Sequence, residues 1–92
     1  MSEKITVTPT GEGSYGVTVG EGDAATSHSV TVPADLLEAW GLEPAREAEV
    51  VEESFRFLLE REPATSILSS FSLGIIRRYF PDYPTAMPRR LG

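Results

Sequence analysis

The chain has no cysteine and only one lysine, one histidine and one tryptophan in 92 residues. Without thiols there is no disulfide framework, thiolate zinc site, iron–sulfur cluster or cysteine nucleophile. No apolar run approaches the ~18 residues that a membrane-spanning helix needs. The opening MSEKITVTPTG also lacks the basic, then apolar, then small-residue order of a secretory signal. A cytoplasmic protein is therefore the default expectation. Positive charge is scarce: eight Arg and Lys stand against fourteen Asp and Glu, a net charge of −6. That balance works against broad attraction to nucleic acid or an anionic membrane. The length fits a single hydrophobic core over residues 1–92, with no room for a separate substrate domain.

What is present reads as α+β: strands first, then helices on one sheet face. Ile5 and Val7 alternate with Thr6 and Thr8; Tyr15, Val17 and Val19 with Gly16 and Thr18; His28, Val30 and Val32 with Ser27, Ser29 and Thr31. Period-two alternation of β-branched residues between glycine clusters predicts a three-stranded antiparallel meander at about 4–8, 15–19 and 26–32. One of its faces is apolar and the other carries hydroxyls. Pro33 opens a short helix that Gly41 stops in a left-handed C′ position. Glu43-Pro44 then opens a long amphipathic helix at about 44–62, ended by Pro63.

At 100° per residue, Ala48, Val51, Phe55, Leu58 and Leu59 form its apolar stripe. Val50 and Phe57 fall outside that stripe, so a second apolar surface is expected beside this helix, from the C-terminal segment or another subunit. Ser72 suits an N-cap for a short helix over Leu73–Phe80. With three prolines, the tail 81–92 reads as extended or irregular.

Gly11-Glu12-Gly13-Ser14-Tyr15-Gly16-Val17 is a literal GxGxxGxV, in which glycines let backbone amides approach phosphates. A dinucleotide site needs a helix directly after it, and here a strand follows. A kinase-type loop needs a lysine on the next strand, yet the only lysine, Lys4, lies upstream. A hairpin turn is the better reading.

His28 is in phase with Val30 and Val32, pointing to the core side, while Ser27 and Ser29 point away. It has no nucleophile to serve and few carboxylates nearby to share a metal. The glutamates of the long helix lie on its solvated face, where Glu52 suits an i,i+4 pair with Arg56. No catalytic, cofactor-binding or metal-ligating residue is assigned, and none of these features supports an enzyme.

The C-terminal third is more informative. Phe71, Tyr79, Phe80 and Tyr83 interleave with Arg77, Arg78, Arg89 and Arg90, a pattern suited to stacking on bases or to a partner surface. It equally suits docking of this segment onto the long helix, with arginines meeting its glutamates. The net charge divides accordingly: residues 1–62 carry −9 and residues 63–92 carry +3.

Two resemblances follow from these residues. The string Ser54-Phe55-Arg56-Phe57-Leu58-Leu59-Glu60-Arg61-Glu62-Pro63, then Ser66-Ile67-Leu68, Phe71 and Tyr79-Phe80-Pro81, resembles short uncharacterised prokaryotic proteins with an SFxFLLEREP…SIL…YFPxY pattern. That resemblance implies membership without an activity, and a defined packing role for Phe57. The order strand, short helix, glycine stop and long helix across Ser27–Arg61 resembles the ribbon-helix-helix fold of small DNA-binding proteins and antitoxins. The outward residues Ser27, Ser29 and Thr31, however, offer nothing of the usual kind to read base edges.

The expectation is thus a small non-enzymatic cytoplasmic protein-interaction module able to self-associate, with Val50, Phe57, Arg77, Arg78, Arg89 and Arg90 as candidate contact residues. It would have no cofactor and no membrane partner, and nucleic acid is disfavoured. The alternative is a ribbon-helix-helix-like DNA-binding regulator or acidic antitoxin.

Overall fold

A computed structural model describes residues 4–91. The expected meander is present as β1 (Ile5–Gly11), β2 (Ser14–Val19) and β3 (Thr26–Thr31), paired antiparallel in that order. Glu12-Gly13 makes the first turn, with Gly13 at φ +69°, a left-handed conformation that side chains disfavour. The glycine motif is therefore a hairpin, and Gly16 lies within β2 opposite Thr8.

A fourth strand, β4 (Ser70–Ser72), adds parallel to β3 through Ser29↔Ser70, Val30↔Phe71 and Thr31↔Ser72. Parallel neighbours require a long crossover, and the two central helices supply it. The resulting sheet order is β1-β2-β3-β4. Register places Val7, Val17 and His28 in one inward row and Thr8, Gly16, Ser29 and Ser70 in an outward one.

Helix α1 (Ala34–Ala39) ends as expected at Gly41, φ +66°. Leu42 N–H bonds to the Leu37 carbonyl at 2.9 Å and Gly41 N–H to Glu38 at 3.1 Å, the paired bonds of a Schellman stop. A single tight turn at Pro44–Arg46 then leads into α2 (Glu47–Leu59). Glu47 and Glu49 sit in its first turn, where the helix dipole favours negative charge.

Its buried residues are Val50, Val51, Ser54, Phe55, Phe57 and Leu58, a continuous arc of roughly 160° at 100° per residue. Relative to the expected stripe this arc is rotated: Ala48 is exposed, while Val50 and Phe57 are both 0% exposed. One side of the arc meets the sheet and the other meets the C-terminal helix.

That last helix corrects the expected irregular tail. After a tight turn at Leu73–Ile75 and the single-turn α3 (Ile76–Tyr79), residues Tyr83–Leu91 form α4. Pro84 lies in its first turn, where a missing N–H costs nothing. Pro88 lies inside it and does cost a backbone bond. Burial prevails over propensity because Tyr83, Met87 and Leu91, spaced i, i+4, i+8, form one stripe packed into the core with α2. Arg46 Nη2 donates to the Leu91 carbonyl at 2.5 Å, closing the end of the helix where cations are favoured. The expected cap is also in place: Ser72 Oγ accepts from Gly74 N–H at 3.2 Å.

Candidate functional site

The second apolar surface beside α2 is the chain's own. Phe57 is enclosed by Tyr83, ring centroids 5.3 Å apart, and by Phe80 at 6.0 Å, both edge-on. The Arg61 guanidinium lies 3.6 Å from its ring centre and that of Arg90 5.7 Å. Those cations sit over the negative face of the ring, a favourable arrangement worth about 0.5–2 kcal/mol in partly buried settings. Phe57 and Val50 thus lose their standing as contact residues for a partner. Both are core.

Ser54 is the polar residue at the centre of the same arc, and it went unnoticed in the sequence. Its Oγ lies 2.7 Å from the Tyr83 hydroxyl, both fully buried, so each satisfies the other. Burial pushes the Tyr83 phenol up to about 12, with the Ser54 hydrogen bond acting slightly the other way. Tyr15 is also pushed up to about 12, by burial first and then by donating at 2.8 Å to the Glu47 carboxylate.

His28 is buried, as its phase implied. Its Nδ1 lies 2.8 Å from the Leu68 carbonyl, which can only accept, so Nδ1 carries the proton. Its Nε2 lies 2.9 Å from Thr26 Oγ1, and the ring packs on Phe55 at 5.3 Å. With both nitrogens engaged, His28 ties the segment before β4 to β3. Among the described residues no group of three or more His, Asp or Glu side chains stands together as a metal site.

The four C-terminal arginines divide. Arg90 bonds to Glu60 and lies 3.9 Å from Glu53, so it meets the glutamate face of the long helix. Arg61 similarly reaches Asp82 at 2.5 Å. Arg77, Arg78 and Arg89 are exposed and form no ion pair with any described residue.

Arg78 precedes Tyr79, which lies in a groove that departs from an ordinary polar exterior among the described residues. The large apolar side chains left exposed are Leu68, at 49%, and Tyr79, at 67%. Both line a single groove of about 350 Å³ between the end of α2, the segment 66–71 and α3, with Ile67, Phe71, Ile75 and Phe80 as further wall and Glu62 at its margin. The groove opens beside β4, with Phe71 of that strand in its wall. A second, smaller hollow of about 260 Å³, lined by Trp40, Pro33 and Arg77, lies along the other flank of α3.

The sheet's two edges differ. β1 is guarded by Lys4 next to its start, by Pro9 and by a register shift between Pro9 and Gly11, all of which discourage pairing with another chain. β4, Ser-Phe-Ser, carries no charge, proline or irregularity. β3, by contrast, is interior and paired on both sides. A ribbon-helix-helix dimer needs that strand free to pair with its counterpart, so the geometry gives the DNA-binding alternative no support.

No helix among the described residues is long and apolar enough to cross a membrane. Comparison of the chain with known protein families, with curated proteins and with solved structures finds no match.

Proposed function

We propose that the chain is a small non-enzymatic protein-interaction module of the cytoplasm that docks a protein partner in the groove beside β4. One observation carries the reading: among the described residues, the large hydrophobic side chains left exposed, Leu68 and Tyr79, converge on one groove. Single exposed apolar residues are ordinary, whereas a shared concave patch next to an unguarded strand edge is what a docking segment uses. The unpaired Arg78, next to Tyr79 on α3, supplies charge for orientation and encounter rate. Membership of the prokaryotic SFxFLLEREP…YFPxY group belongs to the same proposal; under it, the shared string encodes the α2 core and the groove wall together.

The test is site-specific photo-crosslinking in cells, with the crosslinker at Tyr79 and, as control, at Thr8 on the outer sheet face. A discrete adduct from Tyr79 that disappears on Leu68→Asp is the expected result. Equal labelling from both positions would refute the reading.

A further inference from the structure

Resting on that reading, the geometry points to a second copy of this chain as the occupant of the groove, in a twofold dimer joined at β4. A twofold interface brings the same patch together from both subunits, so the patch must complement itself. This one does so in three respects.

Its centre is apolar, with Leu68 and Tyr79 protruding from a groove that has room for another side chain. Its charges are of both signs and unsatisfied: Glu62 on the groove margin and Arg78 next to Tyr79 on α3 form no ion pair with any described residue. An acidic partner would satisfy Arg78 and leave Glu62 opposed, and a basic partner would do the reverse. A rotated copy offers each charge its opposite.

The third respect is the strand. A twofold axis perpendicular to the sheet relates β4 to its copy antiparallel, the arrangement in which short strands pair without a crossover. Ser70 and Ser72 place no charge at that seam. Three residues contribute few backbone bonds, so Leu68 and Tyr79 must carry most of the affinity, as central hydrophobic and aromatic anchors commonly do. The alternative edge, β1, is blocked by Lys4 and Pro9.

The experiment is sedimentation equilibrium on the full chain from about 1 to 200 μM, a range that brackets weak and moderate self-association. Wild type is expected to pass from monomer to dimer. Tyr79→Glu and Leu68→Asp are each expected to raise the dissociation constant at least tenfold, and the milder Tyr79→Ser several-fold. Glu62→Arg and Arg78→Glu should each weaken the dimer, and the two together should restore most of it.

Circular dichroism melts of every variant check folding, which the exposed Leu68, Arg78 and Tyr79 and the half-buried Glu62 are expected to leave intact. A wild type that stays monomeric throughout the range overturns the inference. So does a dimer indifferent to Leu68 and Tyr79. If that monomer still gives a Tyr79 crosslink to a different protein, the interaction-module reading stands and only self-association falls.

Discussion

The buried Ser54–Tyr83 pair offers the sharpest check on the core. Replacing Ser54 by Ala removes the hydrogen-bond partner of a phenol that is 1% exposed. Leaving such a group unsatisfied costs about 1–3 kcal/mol, less a few tenths returned by alanine's better helix propensity. Tyr83→Phe should cost less, about 1 kcal/mol, because the Ser54 hydroxyl can rotate to the carbonyl one turn back on α2. Removing both leaves two apolar groups in contact, so the double variant should be more stable than the sum of the singles by about 1 kcal/mol or more. For a domain of this size each kcal/mol moves Tm by roughly 4–8 °C, so chemical and thermal melts both resolve the cycle.

The burial of Tyr83 also predicts a pH dependence. Tyr83 holds its proton up to about 12 when folded, against 10.0 for an ordinary phenol. A group whose folded pKa is raised contributes its stability fully below the unfolded value and loses it as pH climbs through the folded one. Here the loss runs from about pH 10 to about 12 and amounts to about 3 kcal/mol. Tyr83→Phe should flatten that slope, leaving a smaller residue from Tyr15, whose phenol shifts in the same direction but lies nearer solvent. Additive single effects would refute the hydrogen bond, and an unchanged slope in Tyr83→Phe would refute the burial of the phenol that raises its pKa.

Other outcomes follow from single contacts. Phe57→Ala should destabilise the fold by about 3–5 kcal/mol in urea melts, because the ring fills the space between α2 and α4 and also seats two guanidinium groups. Gly41→Ala should cost about 1 kcal/mol in thermal melts, since φ +66° strains any residue with a Cβ. Pro88→Ala should stabilise the chain by about 1–3 kcal/mol, restoring a backbone bond inside α4; a loss of stability instead would mean that the proline sets the helix's packing angle.

The meander, the Gly41 stop and the start of α2 are legible because each depends on local chemistry: alternation, a left-handed glycine, a proline suited to a first helical turn. The features that sequence reading misplaced depend on contacts between distant segments. Ser70-Phe71-Ser72 is too short to show alternation, and it becomes a strand only because β3 presents a free edge to it. The tail looked irregular from its prolines, yet Tyr83, Met87 and Leu91 already stood at helical spacing, and that stripe is the signal that was there to find. Ala48 enters the expected stripe by its type and is exposed, while Ser54, left out of that stripe, is buried. Centring the stripe on Ser54 brings Val50 and Phe57 inside it and removes the surplus that suggested a second subunit at this helix.

The same correction changes where self-association can occur. While Phe57 seemed to lie outside the α2 stripe, a partner could have packed on that helix. Its enclosure by Tyr83, Phe80, Arg61 and Arg90 closes that face with the chain's own C-terminal residues. Arg90 is thereby spent on Glu53 and Glu60, an exposed-to-intermediate pairing worth at most about 1 kcal/mol, and the basic excess of the C-terminal third narrows to Arg77, Arg78 and Arg89. Arg77 and Arg78 are held on a single helical turn whose other exposed residue is Tyr79. Under the proposed docking, an exposed aromatic next to an unpaired arginine would place anchoring and orientation at one edge of the sheet. Substitutions at the exposed Arg78 and Tyr79 of α3 should therefore alter the proposed binding and leave the fold intact, whereas substitutions at the buried Val50, Phe55 and Phe57 of α2 should do the opposite.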